Sequence, residues 1–490
     1  MRIPPFLRWR LPASACLAAM LAGCAMLDAG PINVAVEGEA GGGNLAAEMI
    51  AGEATDTVIG LAFSGGGTRA AAFSFGVLHG LAETAVTIDG RRSSLIDRVD
   101  FVSGVSGGSV TAAYFGLKGR GALADFRERF LIRNAEESMY TSVANPATLA
   151  RALAGGANDR SNLPQWLDRN LFEGATYSQL LARRRPTTWL NASDINNHSP
   201  FVFEPNTFRA FCSDLGRLPV SEAVAASAAV PVIFAPVTLQ TYPERCRYDF
   251  PSWVRYGDEQ ATAPALLRSY ARALKNYRDP EKQKFVRLLD GGLTDNFGLS
   301  GITIARAAAE TPYAPLNARQ AVKLRSALFL IVNAGQATDD AWARSAQGPS
   351  IAPLLMAVVN TGINASVRQG YDAFQMTVNR WQQDVIEWRC KLPMSEVAKL
   401  RGTTAGWNCK DVKFHIGQVA FDQLPDRRDR LEKIATRFQL PVAEVDLLIA
   451  AGRDVVRSSP VVNGFLHAFG GGAGAAARPE RAQKMMRSSE

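Results

Sequence analysis

The chain has 490 residues, past the roughly 250 to 300 at which a single hydrophobic core stops growing, so it holds one large domain with additions or two domains. Its composition, 47% hydrophobic, 20% charged and 9% aromatic, is that of a globular protein and excludes wholesale disorder, a polytopic membrane protein and a short disulfide scaffold. The formal charge of +8 falls to +5 once the three arginines of residues 1–23 are set aside, leaving 51 basic against 46 acidic side chains; so mild a balance does not argue for nucleic acid as a partner.

Arg2, Arg8 and Arg10 precede an apolar run from Leu11 to Leu21, and Leu21-Ala22-Gly23-Cys24 ends it with small residues. This is the pattern of an export signal, too short to span a bilayer. It resembles the lipobox of bacterial lipoproteins. That resemblance implies removal of residues 1–23, acylation of Cys24 and, because residue 25 is Ala rather than Asp, an outer-membrane lipoprotein facing the periplasm. The following segment, 24–57, is rich in Ala, Gly and Glu and reads as a flexible tether. Export permits disulfides among Cys212, Cys246, Cys390 and Cys409, which sequence alone can pair in three ways; nearest neighbours and free thiols both stay open. No metal-ligand spacing is visible, and the chain has only four His.

From Val58 onward strands and helices alternate. Apolar runs at Val58–Ser64, Val99–Ser103, Thr187–Ala192, Phe285–Leu289 and Ser326–Val332 predict strands, while Gly67–Ala82, Gly108–Lys118 and Val220–Ala229 predict helices. Such alternation implies parallel strands covered by helices on both faces. The aromatic and basic stretch 242–284 reads as an insertion. Pro353–Trp381 is apolar-periodic and predicts a long helix in spite of Gly362 and Gly370, Val412–Val419 predicts a further strand, and 470–490 reads as a disordered tail.

Two turns carry candidate chemistry. Ser64-Gly65-Gly66-Gly67-Thr68-Arg69 lies between a strand and a helix, where consecutive glycines admit positive φ and leave N–H groups facing an anion. Its glycine spacing also fits a dinucleotide fingerprint, but no acidic residue closes a second strand about 20 residues on, and a P-loop lysine is absent. The second turn, Gly104-Val105-Ser106-Gly107-Gly108, has the strand, turn and helix context of a nucleophile elbow, with Ser106 at its tip and the Gly107 N–H beside a developing oxyanion. A serine needs a base. His198, His415 and His467 are the downstream candidates and His79 lies upstream, but none stands in a Gly-rich turn at a strand end. Asp290-Gly291-Gly292 does, followed by Asp295 and Asn296 as turn caps.

Gly65-Gly66-Gly67-Thr68-Arg69, Gly104-Val105-Ser106-Gly107-Gly108 and Asp290-Gly291-Gly292, in this order, resemble the three signatures of the patatin-like phospholipases. Ala226-Ser227-Ala228-Ala229-Val230-Pro231 is similar to the family's stretch between nucleophile and Asp. The resemblance runs from about Val58 to Val332 and leaves the 242–284 insertion and everything after Gly335 unexplained. It implies a three-layer α/β/α sandwich with a mostly parallel central sheet, residues 58–335, plus a mainly helical C-terminal extension, residues 336–469. It further implies Ser106 as nucleophile, Asp290 as its base and backbone N–H groups of Gly65, Gly66, Gly67 and Gly107 as the oxyanion hole, without metal or cofactor. Apolar Leu288, Leu289 and Leu293 are expected to desolvate Asp290 and raise its basicity. Arg69 steadies the Gly turn, meets a phosphate head group, or is a surface residue opening a helix. The function implied is a lipid acyl hydrolase of phospholipase A or lysophospholipase type acting on membrane lipid. A His-dependent α/β-hydrolase esterase and a non-catalytic lipoprotein that binds a partner remain as alternatives.

Overall fold

The computed structural model describes residues 30–36, 38–39, 55–88, 91–140, 146–153, 155–183, 185–336, 344, 346 and 348–469. The export signal, Cys24, most of the tether and the 470–490 tail lie outside them. Eight strands form one central sheet: β1 (Thr57–Phe63), β2 (Phe101–Val105), β3 (Thr187–Asp194), β4 (Ser199–Val202), β5 (Val237–Gln240), β6 (Phe285–Asp290), β7 (Ser326–Asn333) and β8 (Lys413–Ala420). The order across the sheet is β8-β7-β1-β2-β3-β6-β5, with β4 paired to β3. From β8 to β3 every pairing is parallel. All seven residues of β1 are buried, as expected of an interior parallel strand covered on both faces.

The exception to parallel pairing positions the site. β6 runs antiparallel to β3, and β4 does so too. Val105, the last residue of β2, pairs with Asn191, so β3 extends three residues beyond β2. β6 pairs with that overhang alone, Leu288 with Asp194 and Asp290 with Ala192. A strand running the opposite way thus delivers its last residue to the same edge at which β2 ends.

Helices α1 (Gly67–Glu83) and α2 (Gly107–Lys118) follow β1 and β2 directly, and α3 (Val220–Ser227) leads back toward β6. The C-terminal extension is mainly helical, with α4 (Ile351–Cys390), α5 (Val442–Ser458) and α6 (Pro460–Phe469), yet it also supplies β8 and so widens the sheet. Because successive strand residues face opposite sides, β8 shows how both faces are covered. Phe414 and its neighbour Phe329 pack on Trp381 of α4, while His415 and Gly417 face Phe465 and Val461 of α6. The long helix expected from Pro353–Trp381 is real and longer at both ends; Gly362 and Gly370 stand in the open, where a missing side chain costs no packing.

The stretch 242–284 holds helices Ser252–Glu259 and Ala265–Tyr277, with Trp253 stacked on Tyr270 at 5.8 Å. Both nearest-neighbour disulfides form: Cys212–Cys246 ties the start of that stretch to the segment before α3, and Cys390–Cys409 ties the end of α4 to the loop before β8.

Helix α5 buries Val445, Leu448, Ala451, Gly452, Val455 and Val456, one stripe of an amphipathic helix, and lays it along α1. The crossing is close because glycines face each other's backbone. A Cβ on Gly452 would lie 2.2 Å from the Phe73 carbonyl oxygen, and one on Gly76 2.2 Å from that of Ile449. Gly452→Val is expected to push α5 away from α1 and lower stability by roughly 1 to 3 kcal/mol, as overpacking does, read as a drop of several degrees in Tm. An unchanged Tm would show that the crossing is not tight.

Candidate active site

Ser106 ends the β2 turn at φ 51° and ψ −125°, outside the helix and strand regions, and begins α2. Such a conformation in a non-glycine residue persists only where its surroundings impose it. They do so here. The Ser106 N–H donates to Ser227 Oγ at 2.9 Å, and Ser227 Oγ in turn donates to the Asn191 carbonyl at 2.6 Å. On the far side the two candidate turns touch: a Cβ on Gly107 would lie 1.9 Å from the Gly67 carbonyl oxygen, so only glycine fits after the serine.

Asp290 arrives from β6 and is 4% exposed. Its N–H donates to the Ala229 carbonyl and the Gly291 N–H to the Ser227 carbonyl, so the end of α3 grips the Asp turn with its backbone while Ser227 grips the serine turn with its side chain. Ser193 Oγ donates to the Asp290 carbonyl at 2.8 Å. The carboxylate accepts the Gly292 N–H at 2.8 Å, and the Ser106 hydroxyl lies beside it. Burial pushes its pKa up to about 6, and those two neighbours pull it partly back. Leu288 and Leu289 are buried and Leu293 half-buried around it, as the sequence suggests.

The Gly turn needs one correction. The Gly65 N–H already donates to the Asn296 carbonyl at 3.2 Å. It therefore braces the Gly turn against the Asp turn rather than facing an oxyanion. Among the described residues, the N–H groups of Gly66, Gly67 and Gly107 meet no protein acceptor, and Gly66 takes the positive φ of 137° that caps α1. Arg69 is not on the surface. It is 3% exposed, donates from Nε to the Ala334 carbonyl at 3.1 Å and from Nη1 to the Ile434 carbonyl at 2.7 Å, and so steadies the turn from within the protein instead of meeting a head group. Asp295 accepts the Phe297 and Ser300 N–H groups and caps the helix Ser300–Ala307.

Two contributors escape sequence reasoning. Ser227 lies inside the segment quoted for its resemblance, but an alanine-rich helix gives no sign that its last hydroxyl will reach a turn 121 residues away. The segment 434–438 packs over the start of α1, with the Arg437 carbonyl accepting the Thr68 N–H at 2.8 Å and its guanidinium paired to Glu136 at 2.6 Å. Phe438 meets Phe234 edge-on at 6.3 Å. None of the four His reaches Ser106: His79 lies on α1, His198 in the β3–β4 turn, His415 on β8, three strands from β2, and His467 on α6.

Residues 61–301 match the family model described as Patatin-like phospholipase. That stretch is a patatin-like domain. Among solved structures, human GIVD cytosolic phospholipase A2 is 17% identical with a TM-score of 0.29, covering 56% of this chain and 42% of its own. VipD from Legionella pneumophila is 11% identical with a TM-score of 0.31, covering 84% of this chain and 67% of its own. The chain thus spans less than half the length of the human protein. No curated protein matches it. The patatin-like match holds all three turns and α3; β7, β8 and helices α4, α5 and α6 lie beyond it.

The raised pKa of Asp290 has a sign that can be tested. An ordinary Asp ionises near 3.9, so the folded protein holds this proton more tightly than the unfolded chain, and stability is lost as pH rises from about 4 through about 6. Asp290→Asn removes that loss: the variant should be more stable than the parent at pH 8 by on the order of 2 to 3 kcal/mol and equal to it near pH 4, in chemical denaturation. Ser227→Ala strands the buried Ser106 N–H and should cost roughly 1 to 3 kcal/mol at either pH.

Proposed function

We propose that the chain is a lipid acyl hydrolase of phospholipase A or lysophospholipase type, working through an acyl-Ser106 intermediate with Asp290 as base. The observation that carries this is the convergence of the two turns, which sets the Ser106 hydroxyl beside a buried carboxylate whose pKa is pushed up to about 6. Asp290 takes the hydroxyl proton as Ser106 Oγ attacks the ester carbonyl carbon. The alcohol leaves with that proton, and a water activated by the same carboxylate then releases the fatty acid. The negative charge on the carbonyl oxygen falls to the N–H groups of Gly66, Gly67 and Gly107, each such donor typically worth about 2.7 to 4 kcal/mol. A carboxylate of pKa about 6 is still ionised at neutral pH and is a stronger base than an ordinary Asp. The placement of the four His speaks against a His-dependent esterase.

Membrane lipid as substrate, and an acylated Cys24 holding the enzyme at the periplasmic face of the outer membrane, belong to the same proposal; the anchor rests on the sequence of the first 24 residues. Among the described residues no helix is long and apolar enough to cross a membrane.

Ser106→Ala and Asp290→Asn are each expected to lower ester hydrolysis by on the order of 10³-fold, with little further loss in the double variant, because the two act as one unit. For the parent, kcat/KM on a soluble short-chain ester should rise with pH through about 6, where Asp290 loses its proton. Abolition of activity by His415→Ala with the fold intact would overturn the dyad.

A further inference from the structure

Helix α4 changes character along its length. From Gly348 to Val367 there is no Asp, Glu, Lys or Arg, and the segment includes Leu354, Leu355, Met356, Val358, Val359 and Ile363. From Arg368 on, the same helix carries the alternating charges and buried Phe374, Val378, Trp381 and Val385 of an ordinary amphipathic helix packed on the sheet. The uncharged half is not packed in this way. Leu354 is 50% exposed, Leu355 40% and Val358 62%, while Met356, Val359 and Ile363 on the other sides are only half-buried. This half also leaves the proposed catalytic site directly: Ser366 Oγ donates to the carbonyl of Gly292, two residues from Asp290. At 1.5 Å per residue, Val358 to Leu354 lie about 12 to 18 Å farther along the helix, comparable to the roughly 15 Å of one hydrocarbon leaflet.

We propose that the N-terminal half of α4, around Leu354, Leu355 and Val358, is a lipid-docking element that rests in the membrane interface beside the active-site turn. The inference rests on the lipid-hydrolase reading above for its substrate, and on the helix itself for its surface. Three features select lipid over a protein partner. A helix that docks on another protein shows one apolar stripe with a polar, usually charged rim, whereas here apolar residues lie on adjoining faces and charge is absent for twenty residues. Beyond the N-cap Ser350, the polar residues of the segment, Asn360, Thr361, Asn364 and Ser366, are small and neutral and lie toward the protein end. The first charge is Arg368, a cation at the boundary between the apolar half and the packed half, where anionic head groups would lie. The element lies outside residues 61–301, so it is a property of this chain's extension rather than of the matched domain.

The test uses the full chain with a cleavable signal and Cys24→Ser, so that no acyl anchor contributes, and vesicles of phosphatidylethanolamine and phosphatidylglycerol at about 3:1. Flotation should show binding, and Leu354→Gln, Leu355→Gln and Val358→Gln together should weaken the partition by on the order of 10²-fold while Tm and turnover of a short-chain soluble ester stay unchanged. Unchanged flotation overturns the proposal. In Val358→Cys, whose other thiols are paired in disulfides, an environment-sensitive fluorophore should shift to the blue on vesicles; flotation without that shift shows that another face binds and overturns it as well. A parent that ignores vesicles but forms a dimer in sedimentation, lost in the triple variant, assigns the face to a second copy and overturns lipid docking. Vesicle binding through this helix by a protein that hydrolyses no ester would sink the functional reading and leave the docking element standing.

Discussion

The placing of the Ser106 hydroxyl beside the buried Asp290 carboxylate sets the constraints on everything around it. A carboxylate can serve a serine directly only if it lies at bonding distance and out of water. The sheet meets the first condition through register, with Val105 opposite Asn191 and Asp290 opposite Ala192, so that the two turns emerge one residue apart across β3. The second condition is met by Leu288 and Leu289, buried on the strand that brings the Asp. Both turns are then joined a second time through α3, whose Ser227 takes the serine turn by its hydroxyl and the Asp turn by its carbonyl. The arrangement is doubly determined, which is what a residue held at φ 51° requires.

That arrangement costs stability. Burying Asp290 favours its neutral form, and the chemistry proposed for it needs the charged one. The Gly292 N–H offsets part of that cost at the site, and the surrounding core adds to it. The C-terminal extension lengthens the sheet by β8, covers one face with the second half of α4 and the other with α6, and lays α5 along α1 through facing glycines. Its segment 434–438 reaches back to the first turn of α1 and receives Arg69 and Thr68. The extension is thus part of what holds the Gly turn in place, although it lies wholly outside the residues that match the family.

The same extension departs from this role at one point. Half of α4 packs, and the other half, uncharged and exposed, runs away from the Asp turn. A single helix therefore links the sheet, the proposed catalytic turn and the proposed contact with lipid, so that a change at the membrane end is mechanically close to the site.

What could be read from the amino-acid sequence follows from local physics. Apolar runs between glycine-rich turns marked strands that end at β1, β2 and β6 within two residues of the observed bounds, because an interior strand must be apolar on both faces. Ser106 and Asp290 stood out because each sits in a glycine-rich turn at the end of an apolar strand. What the sequence left undecided depends on contacts between distant segments. It could not show that β6 is antiparallel, since an apolar run carries no direction, or that the Gly65 N–H is spent on Asn296, since hydrogen-bond partners 231 residues apart leave no local mark. Arg69 reads the same in sequence whether it faces solvent or two buried carbonyls. The disulfide pairing, the clasp at Ser227 and the strap at Arg437 were likewise decided only when the chain closed on itself, because each joins groups whose proximity is a property of the tertiary fold and of no single stretch of residues.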